Sequence, residues 1–153
     1  SFQTGVRTFE AASVLKRAGA DTTVVKQLFR DDFATFINKA DVIRNAKIIL
    51  KRIAIGRLEK NMEDSILVAA QAANELLNIN DVDASFVLSQ LDDKIHISGR
   101  SLGNISVQLI LEKLGGGGHL TSAGAQVEKL SMEEAEKLLI NIVEKYIKEG
   151  EKI

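Results

Sequence analysis

The chain has 153 residues, 45% apolar and 27% charged, with a net charge of −1. These figures suit one compact domain, or one domain plus a helical attachment, and they exclude the global basic field that holds long nucleic acid by charge alone. With no Cys and only His96 and His119 as histidines, the chain by itself can build no disulfide scaffold, thiolate zinc site or multi-histidine metal site.

The absence of Pro fits regular elements joined by short Gly, Asn and Asp turns. Ser1-Phe2-Gln3-Thr4 has no basic start and no apolar stretch behind it, which is unlike a signal peptide. No apolar run approaches the roughly 18 residues that a membrane span needs. The start reads as a boundary inside a longer protein. The first third is helical in pattern. Over residues 7–17, Phe9, Ala12 and Leu15 recur at three-to-four spacing, and Gly19 stops that helix. Asp21 is placed to cap a helix over 22–29. Asp31 or Asp32 then opens a longer one with Phe33, Phe36, Ile37, Ala40, Ile43 and Lys47 along one side.

The pattern changes near Ile48. Residues 48–58 are rich in β-branched side chains and read as one strand. Asp64 caps an Ala-rich helix over 65–77, whose buried stripe is predicted as Ile66, Ala69, Ala70, Ala73, Leu76 and Leu77. Strands follow at 84–91 and 94–100, joined by an Asp92-Asp93 hairpin turn. After the loop Leu102-Gly103-Asn104, Asn104 is a candidate N-cap for a helix over 105–114, which Gly115 to Gly118 end. Residues 123–129 form a short strand. Ser131 and Glu134 make a capping box for a last helix over 132–148, with Ala135, Leu138, Leu139, Ile142, Val143 and Tyr146 inward. This order predicts an α/β fold: a mixed sheet packed with helices, preceded by helical segments.

Two stretches can carry chemistry. Gly115-Gly116-Gly117-Gly118-His119 puts four costly glycines in a row. That makes sense where backbone amides approach an anion, and equally for a helix stop followed by a turn. It lacks the Lys of a Walker loop, and it follows a helix where a dinucleotide fingerprint follows a strand. His119 beside it could donate to a phosphate oxygen. On the strand over 94–100, alternation puts His96, Ser98 and Arg100 on one face. Arg100 could fork onto a phosphate with Ser101 and Asn104 near it, or could be a surface Arg paired with an acidic neighbour. His96, the Lys51-Arg52 pair and the charges of the last helix read as solvated. No nucleophile–base–acid set and no paired carboxylates can be assembled.

A strand ending Ser98-Gly99-Arg100-Ser101, then a helix, then Gly116-Gly117-Gly118-His119 and the small residues Thr121 to Ala125, resembles the DHH-associated domain. This is the C-terminal half of the DHH-family phosphoesterases, and the resemblance covers residues 48–147. Phe2, Thr4-Gly5, Arg7-Thr8-Phe9, Arg100-Ser101-Leu102-Gly103 and Val107-Gln108-Leu109 are similar to the membrane-anchored bacterial cyclic-di-AMP phosphodiesterases. The resemblance implies that residues 1–47 end a preceding DHH domain and connect it helically to a substrate-binding domain over 48–153. It implies Mn²⁺ in that preceding domain and none held here. Gly116, Gly117, Gly118 and His119 would grip a phosphate, Arg100 and Ser101 would help, and Asn104 is a further candidate. The implied reaction opens cyclic-di-AMP to pApA, and this chain, lacking the Asp-His-His ligands, would be an inactive half-site. The implied partners are a cyclic dinucleotide or short oligonucleotide, the chain's own DHH domain, and a second copy of itself as a homodimer. The implied setting is a cytoplasmic domain of a membrane-anchored parent, itself out of contact with the membrane. An oligoribonuclease, an exopolyphosphatase, or a nucleic-acid-binding module such as that of alanyl-tRNA synthetases remain alternatives, the last opposed by the net charge of −1.

Overall fold

The computed structural model describes residues 22–151, and side chains over 33–150. The helix expected over 7–17 and the Asp21 cap lie outside these residues. The elements run α1 (Thr22–Arg44), β1 (Lys47–Ile49), β2 (Ile53–Leu58), α2 (Ser65–Leu76), β3 (Ala84–Leu91), β4 (Lys94–Ser101), α3 (Val107–Glu112), β5 (Gly117–His119), β6 (Ser122–Glu128) and α4 (Met132–Glu151). From residue 38 onward the chain packs as one compact unit. It is α/β, as the sequence predicts: a six-stranded sheet in the order β1-β2-β3-β4-β6-β5, with only β2 and β3 parallel.

Each face of the sheet has its own apolar layer. Ile53, Ile55, Phe86, Leu88, Ile95 and Ile97 point to the side of α3 and α4, where Ile110, Leu111, Leu139 and Val143 meet them. Ala54, Leu58 and Val87 point the other way, against Val42 of α1 and Val68, Ala72 and Leu76 of α2. The second layer contains no residue of β4, β5 or β6.

Several expectations need correcting. The helices expected over 22–29 and from Asp31 or Asp32 are one helix, α1. Asp costs a helix interior only a fraction of a kcal/mol, and no Gly or Pro stands there to break it. On this helix Phe33 and Phe36 are exposed, and among the described side chains the buried one is Val42. The strand expected over 48–58 is an antiparallel hairpin of β1 and β2. Its three-residue connection, Leu50 to Arg52, places Leu50 and Lys51 at φ 52° and 63°, closed by Arg52 N–H on the Ile49 carbonyl at 3.1 Å. Such a turn is normally marked by Asn-Gly or Asp-Gly, so Leu-Lys hid it.

On α2 the buried stripe is Ser65, Val68, Ala69, Ala72, Ala73 and Leu76, leaving Ile66 exposed. Asp64 sits at the N-cap but makes no side-chain cap bond. The cap of α3 is Ser106, whose hydroxyl accepts from Leu109 N–H at 3.2 Å, and not Asn104. The capping box of α4 is present in both halves: Ser131 N–H donates to Glu134 at 3.0 Å and Glu134 N–H to Ser131 Oγ at 3.1 Å. Leu138, expected inward, is 39% exposed.

The charges of α4 are not all solvated. Glu136 is buried and accepts from Arg57 at 2.6 Å and Lys47 at 3.1 Å. Burial pushes its pKa up, but Arg57 and Lys47 outweigh that and hold it below the usual glutamate range. A carboxyl with a depressed folded pKa stabilises the fold above its unfolded pKa, and this contribution is lost as pH falls through the folded one. Glu136→Gln should therefore lower stability in urea at neutral pH by about 1–2 kcal/mol, since both cations can still reach water. The gap from wild type should close as pH falls through that lowered folded pKa. A gap of constant size across pH would assign Glu136 to packing.

Candidate ligand-binding site

Strand pairing decides which side chains meet. Arg100 on β4 stands opposite Ser122 on β6, which stands opposite His119 on β5. The next row is Ser98, Gly124 and Gly117, and the third begins with His96 and Gln126. Directly paired antiparallel residues share a face, so all of these point to one side. It is the side of α2, because Val87, the β3 partner of Ser98, packs beneath that helix. Beyond the apolar layer this side is open: Gln126, Gly117 and His119 are exposed, and Arg100, Ser122 and Gly124 are partly so.

Arg100 is prepared for an anion. Arg44, Arg52 and Arg57 each pair with a carboxylate, whereas Arg100 pairs with none among the described residues. The acidic neighbour of the alternative reading is not there. Its Nη1 donates to its own neighbour's carbonyl, Gly99 O, at 2.8 Å. Burial lowers its pKa, so an incoming negative charge would relieve a desolvated cation.

The four glycines divide by task. Gly115 ends α3, with φ +80° and its N–H on the Glu112 carbonyl, while Gly116 N–H reaches back to Leu111. These two bonds make a Schellman cap. The next residues are not merely a trailing turn, one of the two readings the sequence left open: Gly117–His119 form the edge strand β5. A β-carbon at Gly116 would lie 2.2 Å from Gly124 O, and one at Gly118 would lie 2.5 Å from Ser122 O. Both face the β6 backbone. A β-carbon at Gly117 would meet nothing within 4 Å. Gly117 and Gly124 thus leave a bare floor, with Arg100, Ser122 and His119 along one border and His96 and Gln126 toward the other.

Two residues proposed from sequence stand elsewhere. Ser101 points to the opposite face and is buried. Its hydroxyl donates to Leu120 O and accepts from Gly103 N–H, both at 3.3 Å, which ties the end of β4 to the β5–β6 turn. Asn104 hydrogen-bonds the Asp83 carboxylate, which Arg52 also holds at 2.7 Å; together they keep that carboxyl below its usual range against the opposing effect of burial. Ser122 and Gly124 join the site through cross-strand register, which no spacing in the sequence announces. His96, read as solvated, is half-buried.

Two cavities, of about 500 Å³ beside Arg57 and about 1000 Å³ between α3 and α4, are lined by none of Arg100, Ser122, His119 and His96. Among the described residues no three His, Cys, Asp or Glu side chains are grouped to hold a metal ion. No helix among them is long and apolar enough to cross a membrane.

The sheet with its strand-end Arg and glycine edge matches the DHHA1 domain profile over residues 45–149. The chain belongs to the DHHA1 domain family. This DHHA1 chain is 44% identical to cyclic-di-AMP phosphodiesterase PdeA of Listeria monocytogenes over 97% of its own length and 23% of that protein. It is 43% identical to cyclic-di-AMP phosphodiesterase GdpP of Geobacillus thermodenitrificans over 100% of its own length and, again, 23% of the relative. The chain therefore spans less than a quarter of these relatives. Among solved structures, an exopolyphosphatase-related protein from Bacteroides fragilis superposes with a TM-score of 0.64 at 25% identity, over 92% of this chain and 43% of that one.

Proposed function

We propose that this DHHA1 domain is the substrate-binding part of a phosphodiesterase that opens cyclic-di-AMP to pApA. The observation that carries this reading is the row Arg100–Ser122–His119 on an open sheet face, beside the bare floor at Gly117 and Gly124. Arg100 supplies fixed charge, Ser122 and His119 supply donors, and the floor lets a phosphate approach the backbone of β5. The names of the PdeA and GdpP relatives support the choice of ligand.

The described residues do not fit the pair of Mn²⁺ ions implied by the family resemblance. Their part is to bind, orient and neutralise charge, while a preceding DHH domain supplies the metals that activate water. The domain would act on the cytoplasmic side of a parent anchored in the membrane through segments outside this chain, and alone it would hydrolyse nothing. The likeness to an exopolyphosphatase-related structure favours a polyphosphate as the second reading, and a 37% identical match over 59 residues to a bifunctional oligoribonuclease and PAP phosphatase of Thermus thermophilus favours a short oligoribonucleotide beside it.

The test is calorimetric titration of this chain, and of the full-length protein, with cyclic-di-AMP, pApA and Mn²⁺. The expected result is weak or no binding by the chain, and binding with hydrolysis of cyclic-di-AMP by the full-length protein. A full-length protein that ignores cyclic-di-AMP but cuts short oligoribonucleotides or polyphosphate would replace the first reading with the second.

A further inference from the structure

His96 lies on the same open face as Arg100, on the same strand and four residues before it. Along a strand that is a Cα separation of ~13 Å, with the floor of Ser98, Gly124 and Gly117 between them. The ring is half-buried, and its Nδ1 is fully buried with no hydrogen-bond partner. A buried N–H left bare is rarer and costlier than a bare acceptor lone pair. The proton of the neutral ring therefore belongs on Nε2. That nitrogen faces Gly124, where even a β-carbon would come to 3.4 Å from it. Glycine at 124 leaves the N–H clear above the floor.

The surroundings keep the ring uncharged. Its strand partners are Ser89 on β3 and Gln126 on β6, both neutral, and no carboxylate pairs with it among the described residues. Burial lowers its pKa, and the positive charge of Arg100 lowers it further. A neutral imidazole with its Nδ1 sealed and its Nε2–H exposed to a ligand face is a fixed donor, and nothing in the packing of the sheet uses it.

We propose that His96 is a further ligand contact of this site, donating from Nε2–H to an oxygen of the sugar–phosphate backbone of the nucleotide held by Arg100 and His119. The proposal rests on the nucleotide-binding reading above and adds a residue to it.

Nitrogen-15 NMR of this chain reads the tautomer directly, without any substitution. The expected result is protonated Nε2 and bare Nδ1 at neutral pH. A Nδ1–H tautomer or an imidazolium at neutral pH overturns the proposal. In the full-length protein, His96→Phe should raise KM for cyclic-di-AMP about tenfold while changing kcat much less. His96→Gln, whose amide nitrogen can reach the place of Nε2, should recover most of the loss. If His96→Phe leaves KM unchanged while Arg100→Ala impairs the reaction, the role of His96 falls and the site stands. If neither variant has an effect, both fall.

Discussion

Arg100→Ala in the full-length protein is expected to cost about 2–4 kcal/mol of transition-state stabilisation, roughly 30- to 1,000-fold in kcat/KM for cyclic-di-AMP. The size follows from the state of the side chain. It is half-buried, partly stripped of water and, among the described residues, without a carboxylate partner, so its charge is held available for a ligand. A phosphate meeting the guanidinium fork gains two directed bonds, and that gain grows as the surroundings dry. Because Arg100 makes no ion pair among the described residues, the alanine variant should melt within a few degrees of wild type. Arg100→Lys should keep only part of the activity, because a point charge does not reproduce the fork. Steady-state kinetics beside a thermal melt make the test. Activity of Arg100→Ala within about twofold of wild type would remove Arg100 from the site.

What the sequence made legible was governed by local chemistry. The capping box of Ser131 and Glu134, the hairpin turn at Asp92-Asp93 and the alternation that puts His96, Ser98 and Arg100 together all lie within a few residues of chain. The α/β class follows from the same signals added up. What stayed hidden depends on residues far apart. Nothing near Ser122 or Gly124 says that they lie beside Arg100 and Ser98, because β4–β6 register is set by the fold as a whole. The β1–β2 turn was missed for the opposite reason: Leu50 and Lys51 occupy left-handed positions that residues of their type seldom take. His96 looked solvated because alternation gives a face but not what covers it. Ser101 and Asn104 were drawn toward the site by closeness to Arg100 in sequence, whereas the pleat turns Ser101 away and Asp83 claims Asn104. Glu136 is a similar case: a glutamate in an amphipathic helix reads as solvated until Arg57 and Lys47 arrive from the other end of the sheet.

The glycine run yields the second large effect, because its members should fail in different ways. At Gly116 an alanine methyl would sit 2.2 Å from the Gly124 carbonyl, and at Gly118 it would sit 2.5 Å from that of Ser122, with φ +148° adding strain there. Both obstacles are backbone, so relief requires β5 to move off β6. Gly116→Ala and Gly118→Ala are expected to destabilise the domain by about 2–4 kcal/mol or to detach the edge strand. Hydrogen exchange would then accelerate along β5 and its pairing with β6, while β3 and β4 stay protected. Gly117→Ala is the contrasting case. Its β-carbon meets nothing within 4 Å and its φ is not positive, so stability should change by less than about 0.5 kcal/mol. The methyl group would nevertheless stand on the floor where a phosphate must approach the strand, and kcat/KM should fall at least about tenfold. A Gly117→Ala protein that is both stable and fully active would show that the bare floor serves only strand packing. A stable, inactive one would separate the glycine that meets the ligand from the two that make room for β6.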